Sequence, residues 1–194
     1  MTETAPVLLV HGFASSFELN WREPGWVDLL SDAGREVLPV DLLGHGTAPR
    51  PHEPEAYAHL ETRVAEALPG EGRVDAIGFS MGAATLLRLA TQQPDRFQRI
   101  VVGGIGGGVL GEHAATDIDA GIHDADALAR AVETGDAPPG GVAQLFAQFA
   151  QVPGNDPKAL AACLRRIDAP MLNPMASTCP SAGSASATRV SRWA

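Results

Sequence analysis

A serine with a glycine two residues to either side, Gly78-Phe79-Ser80-Met81-Gly82, is the segment of this chain best suited to chemistry. It follows an apolar run with strand character and opens a stretch of helix formers, so Ser80 falls on a strand-to-helix turn. On such a nucleophile elbow the hydroxyl stands free, while Gly78 and Gly82 let the strand and helix backbones pass with no side chain between them. The chemistry is acyl transfer. The serine Oγ attacks a carbonyl carbon, and the tetrahedral oxyanion needs two aligned N–H donors, each typically worth about 3 to 4 kcal/mol of barrier. Gly82, Ala83 and Ala84 keep the first helical turn slim, which sets free N–H groups and the positive end of the helix dipole beside the serine. The plain alternative is a serine that merely caps the helix starting at Met81.

Two more strand-to-turn units precede this one. Pro6-Val7-Leu8-Leu9-Val10-His11-Gly12-Phe13 reads as a buried strand running into a glycine turn, and Asp41-Leu42-Leu43-Gly44-His45-Gly46 ends the apolar run Glu36 to Val40. With the three units in this order, the chain resembles the α/β-hydrolase fold family over about Pro6 to Ile105. The resemblance implies a serine hydrolase that cleaves carboxylic esters or related carbonyl compounds without metal or cofactor. It implies Ser80 as nucleophile, with the backbone N–H groups of Phe13 and Met81 as the oxyanion hole, and His11, Gly12, Gly78 and Gly82 supporting the loop and the elbow. The Phe13 ring then lines the pocket; simple core packing is its other, compatible role. In this family the order is serine, acid, histidine. His11 and His45 precede the serine and are therefore structural, bracing the floor around the elbow, and Asp41 fixes its own turn.

The elements that position these residues alternate. Val7 to Val10, Glu36 to Val40, Val74 to Phe79 and Ile100 to Val102 read as strands, and Trp26 to Ala33, Tyr57 to Leu68 and Met81 to Thr91 as helices. Strands apolar nearly throughout predict a mostly parallel sheet with helices on both faces. Gly34 closes one helix and Pro94 stops another. Asp124 to Val132, Val142 to Phe149 and Pro157 to Arg165 carry helical spacing, broken at Pro138-Pro139-Gly140-Gly141 and Pro153-Gly154, and predict a small helical lid. Leu145, Phe146 and Phe149 are more readily lid core than substrate contacts. The expected organisation is an α/β core over 1–110, shortened at both ends, a lid over 111–166, the start of a further core strand over 167–172, and a disordered tail over 173–194.

Composition narrows the function classes. The 194 residues are 45% hydrophobic and 19% charged, as in one ordinary globular domain. Fourteen basic against 23 acidic residues give a net charge of -9 with no Lys/Arg run, which argues against nucleic acid as a partner and leaves a small ester-like molecule. Met1 to Ala5 has no basic leader, and the apolar run behind it is too short for a signal sequence or a membrane span, so a cytoplasmic protein is expected. Cys163 and Cys179 read as free thiols. The glycines from Gly103 to Gly111 match a dinucleotide pattern, but they follow a late strand and open no helical stripe, so they read as a flexible exit into the lid.

The C-terminal part departs from the family pattern. After Leu172 the resemblance requires an acid loop, one more helix and strand, and a histidine, yet 173–194 is rich in Ser, Ala, Thr and Pro and holds no Asp, Glu or His. His113 and His123 are the only histidines after Ser80. The triad acid and histidine are thus unassigned. A reading-frame shift just after Leu172 would account for this, and the coding DNA tests it. Two other functions stay open: a catalytically inactive hydrolase-fold fragment or binding protein, and a lyase or perhydrolase using the same serine. Oligomeric state is not fixed by the sequence.

Overall fold

A computed structural model describes residues 4–105 and 124–166, together with the backbone of Val190–Ser191. The strands are β1 (Val7–Val10), β2 (Val37–Val40), β3 (Val74–Phe79), β4 (Phe97–Gly103) and the two-residue β5 (Val190–Ser191). They form one sheet in the order β2-β1-β3-β4-β5, and every pairing is parallel. The helices are α1 (Trp26–Asp32), α2 (Leu60–Glu66), α3 (Met81–Gln92), α4 (Ala125–Thr134), α5 (Val142–Ala150) and α6 (Pro157–Arg166). The mostly parallel sheet flanked by helices is the fold class expected from the sequence.

Strand order and handedness decide which face each helix covers. The chain moves one way from β1 to β2, then back across β1 to β3 and on to β4. Right-handed crossovers therefore put α1 on one face and α2 and α3 on the other. Side chains along β1 divide accordingly. Leu8 and Val10 join Leu60, Val64, Leu86 and Leu89 in the larger core, whereas Val7 and Leu9 pack with Phe17, Trp21 and Val27. The direction of the connections reverses between β1 and β3, so the carboxyl ends of those two strands form the topological switch point at which α/β sheets bind their ligands. On the α1 side, Phe79 and Val101 stay partly exposed.

Local sequence explains the boundaries. After α1, Gly34 takes φ 70°, and the Arg35 N–H returns to the Leu30 carbonyl at 2.9 Å. Asp124 caps α4 through the Ala127 N–H at 2.9 Å, and Gly135 ends it at φ 76°. Asp156 Oδ1 accepts the Lys158 and Ala159 N–H groups at the start of α6. The helix expected from Tyr57 to Leu68 is divided into a 3-10 turn, Pro54–Tyr57, and α2. His59, with φ -134° and ψ 63°, breaks it, and buried Tyr57 anchors the turn by donating its hydroxyl to the Pro51 carbonyl at 2.6 Å. The strand expected at Ile100 to Val102 extends over Phe97–Gly103, because β4 follows β3 along its whole length.

The helices α4, α5 and α6 share a second core of Leu128, Ala129, Val132, Ala150, Leu160, Ala161 and Leu164, which also takes in Ala14 from the loop after β1. Among the described residues, no helix is long and apolar enough to cross a membrane. The run Gly106 to Gly111, His113, His123, the expected strand at 167–172, Cys179 and all of the tail except Val190–Ser191 lie outside the described residues.

Candidate active site

The elbow is built by collisions that only glycine avoids. A Cβ on Gly82 would strike the His11 carbonyl oxygen and lie 2.5 Å from the Val10 carbonyl oxygen. One on Gly78 would lie 2.8 Å from the Ala83 Cα. Backbone is thus pressed against backbone on both sides of Ser80. The serine takes φ 50° and ψ -116°, the conformation of the first central residue of a type II′ turn, which glycine normally occupies. Such a conformation costs a non-glycine residue about 1–3 kcal/mol. The Ser80 N–H is held by the Gly103 carbonyl at 2.8 Å and its carbonyl accepts from the Ala84 N–H at 3.1 Å. Its side chain makes no capping bond to α3, so helix capping does not account for the residue.

The loop after β1 lies alongside. A Cβ on Gly12 would be 3.5 Å from the Ser80 Cβ and 3.1 Å from the Phe79 ring. Gly12 donates its N–H to Asn20 Oδ1 at 3.0 Å. The Phe13 ring stacks on Phe146 of α5 at 5.2 Å and meets His45 edge-on at 5.7 Å. Ala14 then takes φ 53°, and its carbonyl accepts a hydrogen bond from Asn155 Nδ2 at 3.0 Å. Among the described residues, neither the Phe13 nor the Met81 N–H donates a hydrogen bond. The Met81 N–H thus lies free at the positive end of α3, and the Phe13 N–H lies free in the loop whose Gly12 approaches the Ser80 Cβ.

The described histidines are engaged elsewhere. The Leu42 N–H donates to His11 Nε2 at 3.0 Å, so the ring proton sits on Nδ1 and goes to the Gly12 carbonyl at 2.7 Å. Burial lowers the His11 pKa, and the approach of Asp41 Oδ1 at 3.8 Å meets an unprotonated nitrogen rather than forming an ion pair. His45 bonds through Nδ1 to the Leu43 carbonyl at 2.9 Å, its Nε2 is buried without a partner, and burial first, then His11, lowers its pKa to about 3. Both rings are neutral braces. His52 meets Asp156 at 3.0 Å and His59 meets Glu61 at 3.3 Å. Burial would raise the pKa of Asp41, but hydrogen bonds from the Phe17 N–H at 2.7 Å and from the Thr47 N–H and hydroxyl bring it below the usual carboxylate value. Asp41 fixes its turn in this way. No described histidine is hydrogen-bonded to Ser80, and no group of described side chains is arranged to hold a metal ion.

Cys163 on α6 is buried and free, with Sγ 3.9 Å from Met81 Sδ behind the elbow. Burial pushes its thiol up to about 12, which leaves it an unreactive packing group. Sequence reasoning did not find Asn20, Asn155 or the strained Ala14. Asn155 is 141 residues from its partner and follows Pro153-Gly154, where only a helix break was legible.

The family model for the alpha/beta hydrolase fold matches residues 5–194. A mouse (Mus musculus) sn-1-specific diacylglycerol lipase is 36% identical over 100 residues, which cover 50% of this chain and 31% of the lipase. A pimeloyl-[acyl-carrier protein] methyl ester esterase of Nitrosomonas europaea is 34% identical over 96 residues, 50% of this chain and 35% of the esterase. The matches span about a third of the length of these curated relatives. Among solved structures, the bottromycin epimerase in complex with bottromycin A2 superposes with a TM-score of 0.57 at 24% identity, over 88% of this chain and 67% of the epimerase, a likeness of fold. On the parallel sheet, the glycine-bounded turn and the family match over nearly its whole length, this chain belongs to the alpha/beta hydrolase fold family.

Proposed function

We propose that the chain is a serine hydrolase acting on small carboxylic esters or related carbonyl compounds. The observation that carries this reading is Ser80 itself. It is strained at φ 50°, its side chain caps nothing, and the free N–H groups of Phe13 and Met81 stand on the adjoining strand ends. In this reading Ser80 Oγ attacks the carbonyl carbon and loses its proton to a general base. The two N–H groups bind the oxyanion, the bond to the leaving group breaks, and water then cleaves the acyl-serine ester. The names of the lipase and esterase relatives support an ester as the substrate class. Fold alone does not choose the reaction, since an epimerase shares it. Turnover of p-nitrophenyl acetate tests the proposal: Ser80→Ala should lower it by at least about a hundred-fold. Equal turnover in the two proteins would sink the nucleophile assignment.

A second reading, a hydrolase-fold protein without turnover, is favoured by one observation: each described histidine is committed to another partner. A serine without a base is a poor nucleophile. Absence of turnover in the wild-type chain, with the fold intact by circular dichroism, would select it.

A further inference from the structure

We infer that Asn155, in the turn between α5 and α6, is a positioning residue that holds the oxyanion loop in its working shape, so that the helical cap formed by α4, α5 and α6 sets the geometry of the site. The inference rests on the reading of Phe13 N–H as an oxyanion donor. Ala14 follows Phe13 directly and takes φ 53°, a conformation that L residues other than glycine rarely adopt. Three contacts keep it there, and all come from the cap. Its carbonyl accepts from Asn155 Nδ2 at 3.0 Å, its methyl is buried among the cap helices, and the neighbouring Phe13 ring stacks on Phe146.

Asn155 is fixed in turn. Its second amide hydrogen goes to the Phe149 carbonyl at 2.9 Å near the end of α5, and its own N–H goes to the Val152 carbonyl at 3.1 Å. One planar amide thus bridges the end of a cap helix and the loop after β1. The other end of that loop is tied within the core, through the Gly12 N–H to Asn20 and the Phe17 N–H to Asp41. Between these ties, the Gly12 carbonyl, in the same peptide plane as the Phe13 N–H, is held by His11 Nδ1 at 2.7 Å, and the contacts at Ala14 limit rotation about the Phe13 backbone on the other side. Were the Asn155 bond lost, Ala14 would relax towards negative φ, the Phe13–Ala14 peptide would turn, and the shift of the Phe13 backbone would tilt the donor against its His11 tie while the elbow stayed intact.

The test is the rate at which a fluorophosphonate labels Ser80 in the full chain, as wild type, Asn155→Ala, and Asn155→Ala in an Ala14→Gly background. The maximal labelling rate should fall about ten-fold in Asn155→Ala with little change in half-saturating concentration, because one donor to the developing oxyanion is misdirected. Glycine adopts positive φ at no steric cost, so in the Ala14→Gly background the loss should shrink to about two-fold. Equal rates in wild type and Asn155→Ala, or the same loss in both backgrounds, would overturn the inference. Asn155→Asp keeps the size of the side chain but removes the donor, and it separates loss of the bond from loss of folding. A wild-type chain that is not labelled would defeat the hydrolase reading instead. Amide exchange of the Gly12–Phe17 segment then decides the inference by itself: about ten-fold faster exchange in Asn155→Asp supports it, and unchanged exchange overturns it.

Discussion

Ser80 and Ala14 are the two non-glycine residues with positive φ among the described residues, and they sit at the carboxyl ends of neighbouring strands. They are strained to the same side but held by different means. Ser80 is enforced locally, by Gly78 and Gly82 packed against backbone from β1 and α3. Ala14 is enforced from afar, by Asn155, Phe146 and the cap core. A locally enforced strain leaves a short motif in the sequence, and a remotely enforced one leaves none. The two halves of the candidate site accordingly differ in how they can be broken.

The largest effect should come from breaking the local device. Gly82→Ala drives a Cβ into the carbonyl oxygens of His11 and Val10, which are backbone and have no rotamer to yield. A loss of at least about 3 kcal/mol in urea-unfolding stability is expected. A loss below about 1 kcal/mol would show that the elbow is not packed as described.

Acid should act on the other half. Unfolded histidine takes up its proton near 6.5, whereas His45 in the fold does so only near about 3. Between these values the unfolded chain binds more protons, so stability is fully present above 6.5 and declines as the pH falls towards 3. At pH 5, against pH 7.5, His45 alone should cost about 2 kcal/mol, with His11 adding in the same direction. His45 touches the Phe13 ring and His11 bonds to Gly12, so acid should lower the amide-exchange protection factors of the loop after β1 before those of α3. His45→Asn should show a shallower pH dependence in urea midpoints. An unchanged slope would place the titrating group elsewhere.

The smallest effects separate the two strained residues. Ser80→Gly relieves strain at a half-buried residue whose side chain caps nothing, and should raise stability by about 1 kcal/mol. Ala14→Gly relieves similar strain but gives up a methyl buried in the cap core, so it should stay within about 1 kcal/mol of wild type. Equal gains at both positions in thermal unfolding would mean that the cap does not hold Ala14.

The same contrast explains what the sequence disclosed. The parallel sheet was legible because β1, β2 and β3 are short apolar runs, each ending in a turn rich in glycine or histidine. The elbow was legible because its steric logic lies within five residues. The structural reading of His11 and His45 rested on the family order of serine, acid and histidine; their neutrality was not legible, because it comes from burial and from hydrogen bonds to Gly12 and Leu43. The break at His59 was not legible, because it depends on where the Tyr57 hydroxyl finds an acceptor. Asn20 and Asn155 were not legible either, since nothing near them in the chain marks which backbone groups they will meet.

Whether Ser80 is an activated nucleophile is decided by the intact mass of the purified chain before and after exposure to a fluorophosphonate, with peptide mapping of any adduct. One phosphonyl adduct is expected, located on Ser80 and absent from Ser80→Ala. A folded chain that gains no mass, or an adduct that persists in Ser80→Ala, would contradict it.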